Sequence, residues 1–321
     1  MNLQTNIKLQ KQQHHQIDYR SKLMLLGSCF SENIGSKFEY HKFQSEVNPF
    51  GILFHPIAIE NLITRSINQD FYIDEEIVYQ NEIYSCFDAH SKLNSPTKDA
   101  LLDNLNTQLK LTSQYLHSAS HIIITLGTAW VYRYIATDKI VANCHKIPQK
   151  QFLKELLSIE DIVASLENIM TLVRSVNPKV NFIFTVSPVR HLKDGFVENN
   201  RSKAHLITAI HQAIKGNRSL SELEVYFPSY EIMMDELRDY RFYNQDMIHP
   251  NDLAIDYIWE KFKTVWLTED AILTSQKVAS IQAKKAHRPF NPHSKAHQKF
   301  LANLQLEIED IQKELPHIKF N

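Results

Sequence analysis

Glycine and proline are scarce in this chain, six and eleven among 321 residues, and nowhere do they gather into a linker that would divide a core in two. The length would permit one or two domains, and the missing linker favours a single principal one. Cysteine is scarcer still. Cys29, Cys86 and Cys144 cannot all pair and none stands in a CxxC, which argues against a disulfide framework and a four-cysteine zinc site. Among sixteen histidines there is no HExxH and no tight His/Cys spacing, so neither a metal nor another cofactor is expected. No apolar run approaches the roughly 20 residues that span a bilayer. The amino-terminal stretch MNLQTNIKLQKQQHHQ also lacks the apolar centre of a secretory signal. A cytoplasmic location is the expectation. Neither sign of charge dominates, since 35 Lys and Arg face 36 Asp and Glu. The chain therefore has no general attraction for nucleic acid or for an anionic membrane.

What is present, 43% hydrophobic and 22% charged residues, is the composition of an ordinary globular protein. Apolar runs of strand length fall at Lys22–Leu26, His121–Leu126, Val180–Val186 and Leu223–Phe227. Helical periodicity follows Ser31, with Ile34 and Phe38 on one side, and recurs near Pro56–Ile67, Asp99–Leu116, Ile159–Val176, Arg201–Ile214 and Asn251–Val265. The alternation predicts βαβ units around a parallel sheet, an α/β fold. The runs IIITL and FIFTV are apolar on both sides, as suits strands covered by helices on both faces. Phe71–Pro96 breaks the rhythm and reads as an insertion of short strands or loops.

Past residue 268 the character changes. Gln276–Lys299 reads as a polar connector, and from Ser294 a helix begins whose Leu301, Leu304, Ile308, Ile311 and Leu315 form an apolar stripe. The stripe either folds back on the same domain or joins two copies in a homodimer. The expected division is a main domain over 15–268 and a connector with helix over 269–321.

Four segments stand where an α/β sheet presents functional groups, beyond the carboxyl ends of strands. Gly27-Ser28-Cys29-Phe30 follows the first strand and opens a helix. Ser28 either caps that helix or sits as a nucleophile in the positive field of its amino terminus. Asp246-Met247-Ile248-His249-Pro250 brings a carboxylate and an imidazole within one turn of chain. A serine hydroxyl needs such a base, and the base needs an orienting partner. Pro250 is then expected to start the next helix, where a proline is tolerated; the bland alternative is an N-cap or turn aspartate beside a solvated histidine. In Asn48-Pro49-Phe50-Gly51, a turn, the Gly51 amide and the Asn48 side chain are candidate oxyanion donors. In Gly127-Thr128-Ala129-Trp130, Thr128 would line the same crevice, with Trp130 and Tyr132 as core or pocket wall. Asn143-Cys144-His145-Lys146 is a polar cluster between apolar neighbours, either an exposed loop or a place where Asn143 and His145 recognise substrate.

In series, GSCFS at 27–31, NPFGILFHP, TLGTAWVY, ANCHK, TVSPVRHLKDG, YFPSYEIMMDELRDYRFY and DMIHPN resemble the GSCFA-domain proteins, a branch of the SGNH/GDSL hydrolase superfamily. The resemblance runs from about residue 20 to 266. It implies a flavodoxin-like three-layer sandwich with a central five-stranded parallel sheet. It also implies a triad of Ser28, His249 and Asp246 and a backbone donor at Gly51. Two departures accompany it. The first block usually carries an aspartate and here reads Gly27-Ser28-Cys29. The third block usually reads Gly-x-Asn-Asp and here reads Gly127-Thr128-Ala129-Trp130, so its asparagine donor is missing unless Asn48, Asn143 or Thr128 replaces it.

The resulting expectation is a serine hydrolase acting on a small-molecule or glycan ester, with acetylated carbohydrate among the candidates. Ser28 attacks, His249 takes its proton, Asp246 orients the imidazole, and the amides of Ser28 and Gly51 hold the oxyanion. Three alternatives stand beside it: a binding module that kept the scaffold without a complete oxyanion hole, an acyltransferase, and an enzyme whose nucleophile is Cys29.

Overall fold

A computed structural model describes residues 5–216 and 224–320 of the chain. The first strand, β1 (Lys22–Gly27), leads into α1 (Cys29–Tyr40) and the edge strand β2 (Gln44–Val47); α2 (Pro56–Asn68) follows. After an insertion come α3 (Lys98–Ser118) and β5 (His121–Leu126), then a second insertion, α4 (Ile159–Val176), β9 (Asn181–Val186), α5 (Phe196–Gly216) and β10 (Glu224–Tyr226). The first insertion holds the hairpin of β3 (Ile77–Gln80) and β4 (Ile83–Cys86). Its turn residues Asn81 and Glu82 have φ of 51° and 61°, the mirror-image turn that suits twisted strands. The second insertion is a three-stranded antiparallel sheet of β6 (Trp130–Tyr134), β7 (Lys139–Val141) and β8 (Phe152–Leu156). Of the predicted strand Leu223–Phe227, Leu223 lies outside the described residues.

The central sheet has five strands in the order β10-β9-β5-β1-β2, and every neighbouring pair is parallel. Alternate residues of each strand feed two separate cores. Met24, Leu26, Ile122, Ile124, Phe182 and Phe184 pack under α2 to α5, while Leu23, Leu25, Ile123 and Ile183 face α1 and the carboxy-terminal helices. The fold is therefore a three-layer α/β sandwich. Its chain order reverses between β1 and β5, and that switch point is where open α/β sheets bind ligands.

After β10, a short helix α6 (Ser229–Glu231) continues into a π-turn, and α7 (Asp252–Trp266) lies against α1. Pro250 does not start α7 as the sequence suggested. Asn251 caps it, its Oδ1 accepting the Ala254 amide at 3.1 Å, and Pro250 stands one residue before the cap. The first part of the predicted polar connector, from Gln276 to Ala286, belongs to a helix, α8 (Glu269–Ala286), because Ala271, Ser275, Val278 and Ile281 recur at helical spacing beneath the lysines. The last helix, α9 (Lys295–Glu314), folds back on the same chain: Leu304 and Ile311 are buried, Ile308 and Leu315 half-buried, and Leu301 is 43% exposed. Lys284 of α8 and Glu307 of α9 pair at 2.6 Å. Among the described residues no helix is long and apolar enough to cross a membrane.

Candidate active site

The carboxyl end of β1 is shaped by close contact with β5. Gly27 has φ +131°, and a Cβ there would lie 2.1 Å from the Thr125 carbonyl oxygen, so only glycine fits. The next residue turns the chain into α1. Ser28 donates its amide to Thr125 O at 3.0 Å, and its Oγ accepts the Phe30 amide at 3.3 Å as the helix cap. The side chain is almost covered, at 1% exposure. A hydroxyl that accepts at a cap still has its own proton to donate, so capping and nucleophilic duty are compatible.

The loop after β2 crosses the ends of both central strands. Leu53 donates to Gly27 O at 3.1 Å, and Phe54 O accepts the Gly127 and Thr128 amides at 2.7 and 3.2 Å. Asn48 turns this loop with φ 46°. Its Oδ1 accepts the Gly27 amide at 2.9 Å, while its Nδ2 is buried without a partner. Gly51 has φ +71°, with His90 Cβ only 2.4 Å from where a side chain would begin, but its amide already donates to Asn48 O at 2.7 Å. The two backbone donors expected from sequence, at Ser28 and Gly51, are thus both engaged, whereas the side-chain Nδ2 of Asn48 in this loop has no partner.

The DMIHP segment closes a tight turn on its own carboxylate, helped by Met247 at φ 57°. Asp246 Oδ1 accepts the Ile248 and His249 amides at 2.9 and 3.0 Å, and Oδ2 accepts from His249 Nδ1 at 2.6 Å. The two amides and then the imidazole hold the Asp246 carboxyl down at about 2, so it is an anion at neutral pH. An ionised carboxylate only accepts, so Nδ1 carries the proton and Nε2 keeps its lone pair in the neutral ring. The Arg190 amide bonds Ile248 O at 3.4 Å, which ties this turn to the loop after β9. His249 is open, its side chain 43% exposed. No hydrogen bond joins it to Ser28 among the described residues.

Thr128 is built into the scaffold: its Oγ1 bonds Ser202 Oγ at 3.0 Å and accepts the Trp130 amide at 3.1 Å. Asn143 and His145 lie on the loop between β7 and β8. Asn143 Oδ1 accepts the His145 amide at 2.9 Å and the residue lines an open cleft, whereas His145 is buried with Nε2 2.6 Å from Cys86 O. His145 therefore braces the loop, and of the pair only Asn143 faces that space.

Two residues at this edge went unrecognised in the sequence. His191, just beyond β9, lies against Gly127, where a Cβ would be 3.2 Å from its Nε2, and its ring is 5.8 Å from that of Phe54. Its Nε2 is buried and unpartnered. Burial, followed by the charges of Lys203 and His249, pushes its pKa down to about 3, which leaves it neutral. Lys203 is fully buried in α5, and its Nζ donates to Gly127 O and Ser187 O at 2.7 Å each, joining the ends of β5 and β9. A signal for it existed: residues 199, 202, 203, 206, 209, 210 and 213 are the buried face of α5, and Lys203 is the one cation on that stripe. Among the described residues no group of three or more His, Cys, Asp or Glu side chains is placed to hold a metal ion.

The family model described as the GSCFA family matches residues 22–262, and that of the GSCFA domain protein C-terminal domain matches 278–321. None of the curated proteins matches the sequence. Among solved structures the chain is similar to an acetyl xylan esterase (Est2A) from the rumen bacterium Butyrivibrio proteoclasticus, at 12% identity and a TM-score of 0.40. That alignment covers 76% of this chain and 63% of the esterase, so the chain spans less than two thirds of that protein's length.

Proposed function

Because the chain belongs to the GSCFA family, we propose that it is a serine hydrolase that cleaves acyl esters, acetylated carbohydrates among them, through Ser28, His249 and Asp246. The observation that supports this most is the Asp246–His249 pair, 2.6 Å apart, with the carboxylate fixed by two backbone amides. That arrangement prepares one imidazole nitrogen as a base, and it lies on the same edge of the sheet as Ser28.

In this reading Ser28 Oγ attacks the ester carbonyl while His249 Nε2 takes its proton, and Asp246 stabilises the imidazolium that forms. The negative oxygen is received by two buried N–H groups without other partners, Asn48 Nδ2 and His191 Nε2 in its protonated tautomer. They take the place of the missing third-block asparagine and of the engaged amides of Ser28 and Gly51. One such donor contributes about 10²–10³ in rate. His249 returns its proton to the leaving alcohol, and water then releases the acyl group from Ser28. An acceptor hydroxyl in place of that water would make the enzyme an acyltransferase.

The thiol alternative is disfavoured, since burial and then Glu32 raise the pKa of Cys29 and keep it from the thiolate form. A binding module draws support from the burial of Ser28. A fluorophosphonate probe separates the readings. Labelling is expected at Ser28, retained in Cys29→Ser and lost in Ser28→Ala; an unlabelled wild-type protein returns the binding module.

A further inference from the structure

Beside the catalytic edge lies an open cleft of about 770 Å³ between the Asn48–His55 loop and the sheet of β6 to β8. Two lining residues connect it with the proposed site. Phe54 bonds Gly127 and Thr128 through its carbonyl and sets its ring against His191, and His90 fills the space beside Gly51. The segment that brings His191 to the site continues directly into Lys193 and Asp194 on the cleft wall.

The charge of this cleft is one-sided although the chain as a whole is nearly neutral at −1. Lys146, Lys154 and Lys193 line it against the single carboxylate of Asp194. Asp194 pairs with Lys154, whose ammonium also lies 4.6 Å from the centre of the Trp130 ring. Lys146 and Lys193 form no ion pair among the described residues. The lining histidines add no charge at neutral pH, because burial lowers the pKa of both His55 and His90. Trp130 and Tyr132 supply aromatic surface, and Asn143 and Gln149 supply amides. Aromatic faces, side-chain amides and unpaired ammonium groups suit the apolar face, the hydroxyls and the carboxylate of an acidic sugar.

We infer that this cleft holds the alcohol portion of the substrate and that this portion is a carboxylate-bearing sugar, a uronate unit of an acylated glycan. The inference rests on the esterase reading for its chemistry but not for its binding. The binding arm titrates oligogalacturonate and, separately, neutral xylo-oligosaccharide into Ser28→Ala and into wild-type protein by calorimetry. The acidic oligomer is expected to bind about tenfold more tightly at low salt, the gain roughly two partly exposed ion pairs give. That preference is expected to shrink with added salt and to vanish in the Lys146→Gln, Lys193→Gln double variant. The activity arm compares acetylated polygalacturonate with acetylated xylan. Equal or absent binding of the two oligomers overturns the inference even when both polymers are deacetylated. Salt-sensitive, lysine-dependent binding without hydrolysis of either polymer keeps the cleft and removes the hydrolase.

Discussion

Asn48 Oδ1 accepts the Gly27 amide at 2.9 Å, and this one bond decides where the other end of the Asn48 amide lies: buried, unpaired and next to the residue before Ser28. An aspartate at position 48 keeps the acceptor, the size and the tolerance for φ 46° but replaces the N–H donor with oxygen. Asn48→Asp is therefore expected to fold and to lose about 10²–10³ in kcat on a small aryl ester. Undiminished kcat in the folded variant would remove Asn48 from the oxyanion hole.

His191 supplies the second unpaired nitrogen, so His191→Phe keeps the contact with Phe54 and deletes the donor. A fall of about 10² in kcat with little change in KM is expected, the signature of an interaction made in the transition state. A change confined to KM would make His191 a pocket wall.

Asp246 bears on the pH profile. Its carboxyl, held at about 2, stays ionised through the whole working range, so it cannot produce an acid limb above that value. An acid fall of kcat/KM along a single ionisation, as a general base gives, is expected and is not that of Asp246. Asp246→Asn is expected to cut kcat/KM by about 10⁴, because the ring loses its fixed tautomer and its countercharge. A flat profile from pH 5 to 8 with an active Asp246→Asn would reduce the DMIHP segment to a turn.

Lys203 bears on stability instead. Burial lowers its pKa to about 7, against roughly 10.4 in an unfolded chain. Between those values the unfolded chain binds a proton that the folded one lacks, so stability rises with pH from about 7 upward. Above about pH 8.5 the three thiols, all raised by burial, act in the opposite direction. The melting temperature is expected to climb between pH 7 and 8.5, and Lys203→Met is expected to abolish the climb. The same slope in both proteins would contradict the assignment.

Removing the chain from Ser294 onward deletes Leu304, Ile311 and Ile318 from the core on the α1 side of the sheet. Those side chains contribute about 1.5–3 kcal/mol each when fully buried, so a loss of roughly 5–10 °C in melting temperature is expected. The kcat/KM at 25 °C is expected to hold, since α9 reaches none of the proposed site. A change in sedimentation on truncation would assign the exposed Leu301 and Leu306 to self-association.

The sheet was legible because its strands are short apolar runs with long periodic helices between them; His121–Leu126 and Ile159–Val176 have the predicted limits. Gln44–Val47 gave little signal because it is a half-buried edge strand of four residues. The helix at Glu269–Ala286 was hidden by lysines on its outer face. Within the candidate site, the Asp246–His249 contact follows from a spacing of three. The state of the Ser28 and Gly51 amides does not, because their acceptors, Thr125 O and Asn48 O, depend on how strands and loops meet. His191 and Lys203 escaped for a related reason: neither sits in a spacing pattern with Ser28, and tertiary packing alone gathers them.

The two cores on either side of the sheet differ in how the chain supplies them. One is complete within residues 24–213, whereas the other needs Ile17, Phe38, Trp259, Val278, Leu304 and Ile318. During synthesis from the amino terminus, α2 to α5 can close their side of the sheet about a hundred residues before α9 emerges. Leu23, Leu25, Ile123 and Ile183 then have only α1 over them and leave part of their apolar surface bare on the ribosome-bound chain. Such surfaces engage chaperones or aggregate. The carboxy-terminal helices therefore set how long the nascent protein remains vulnerable, a cost counted in seconds of translation.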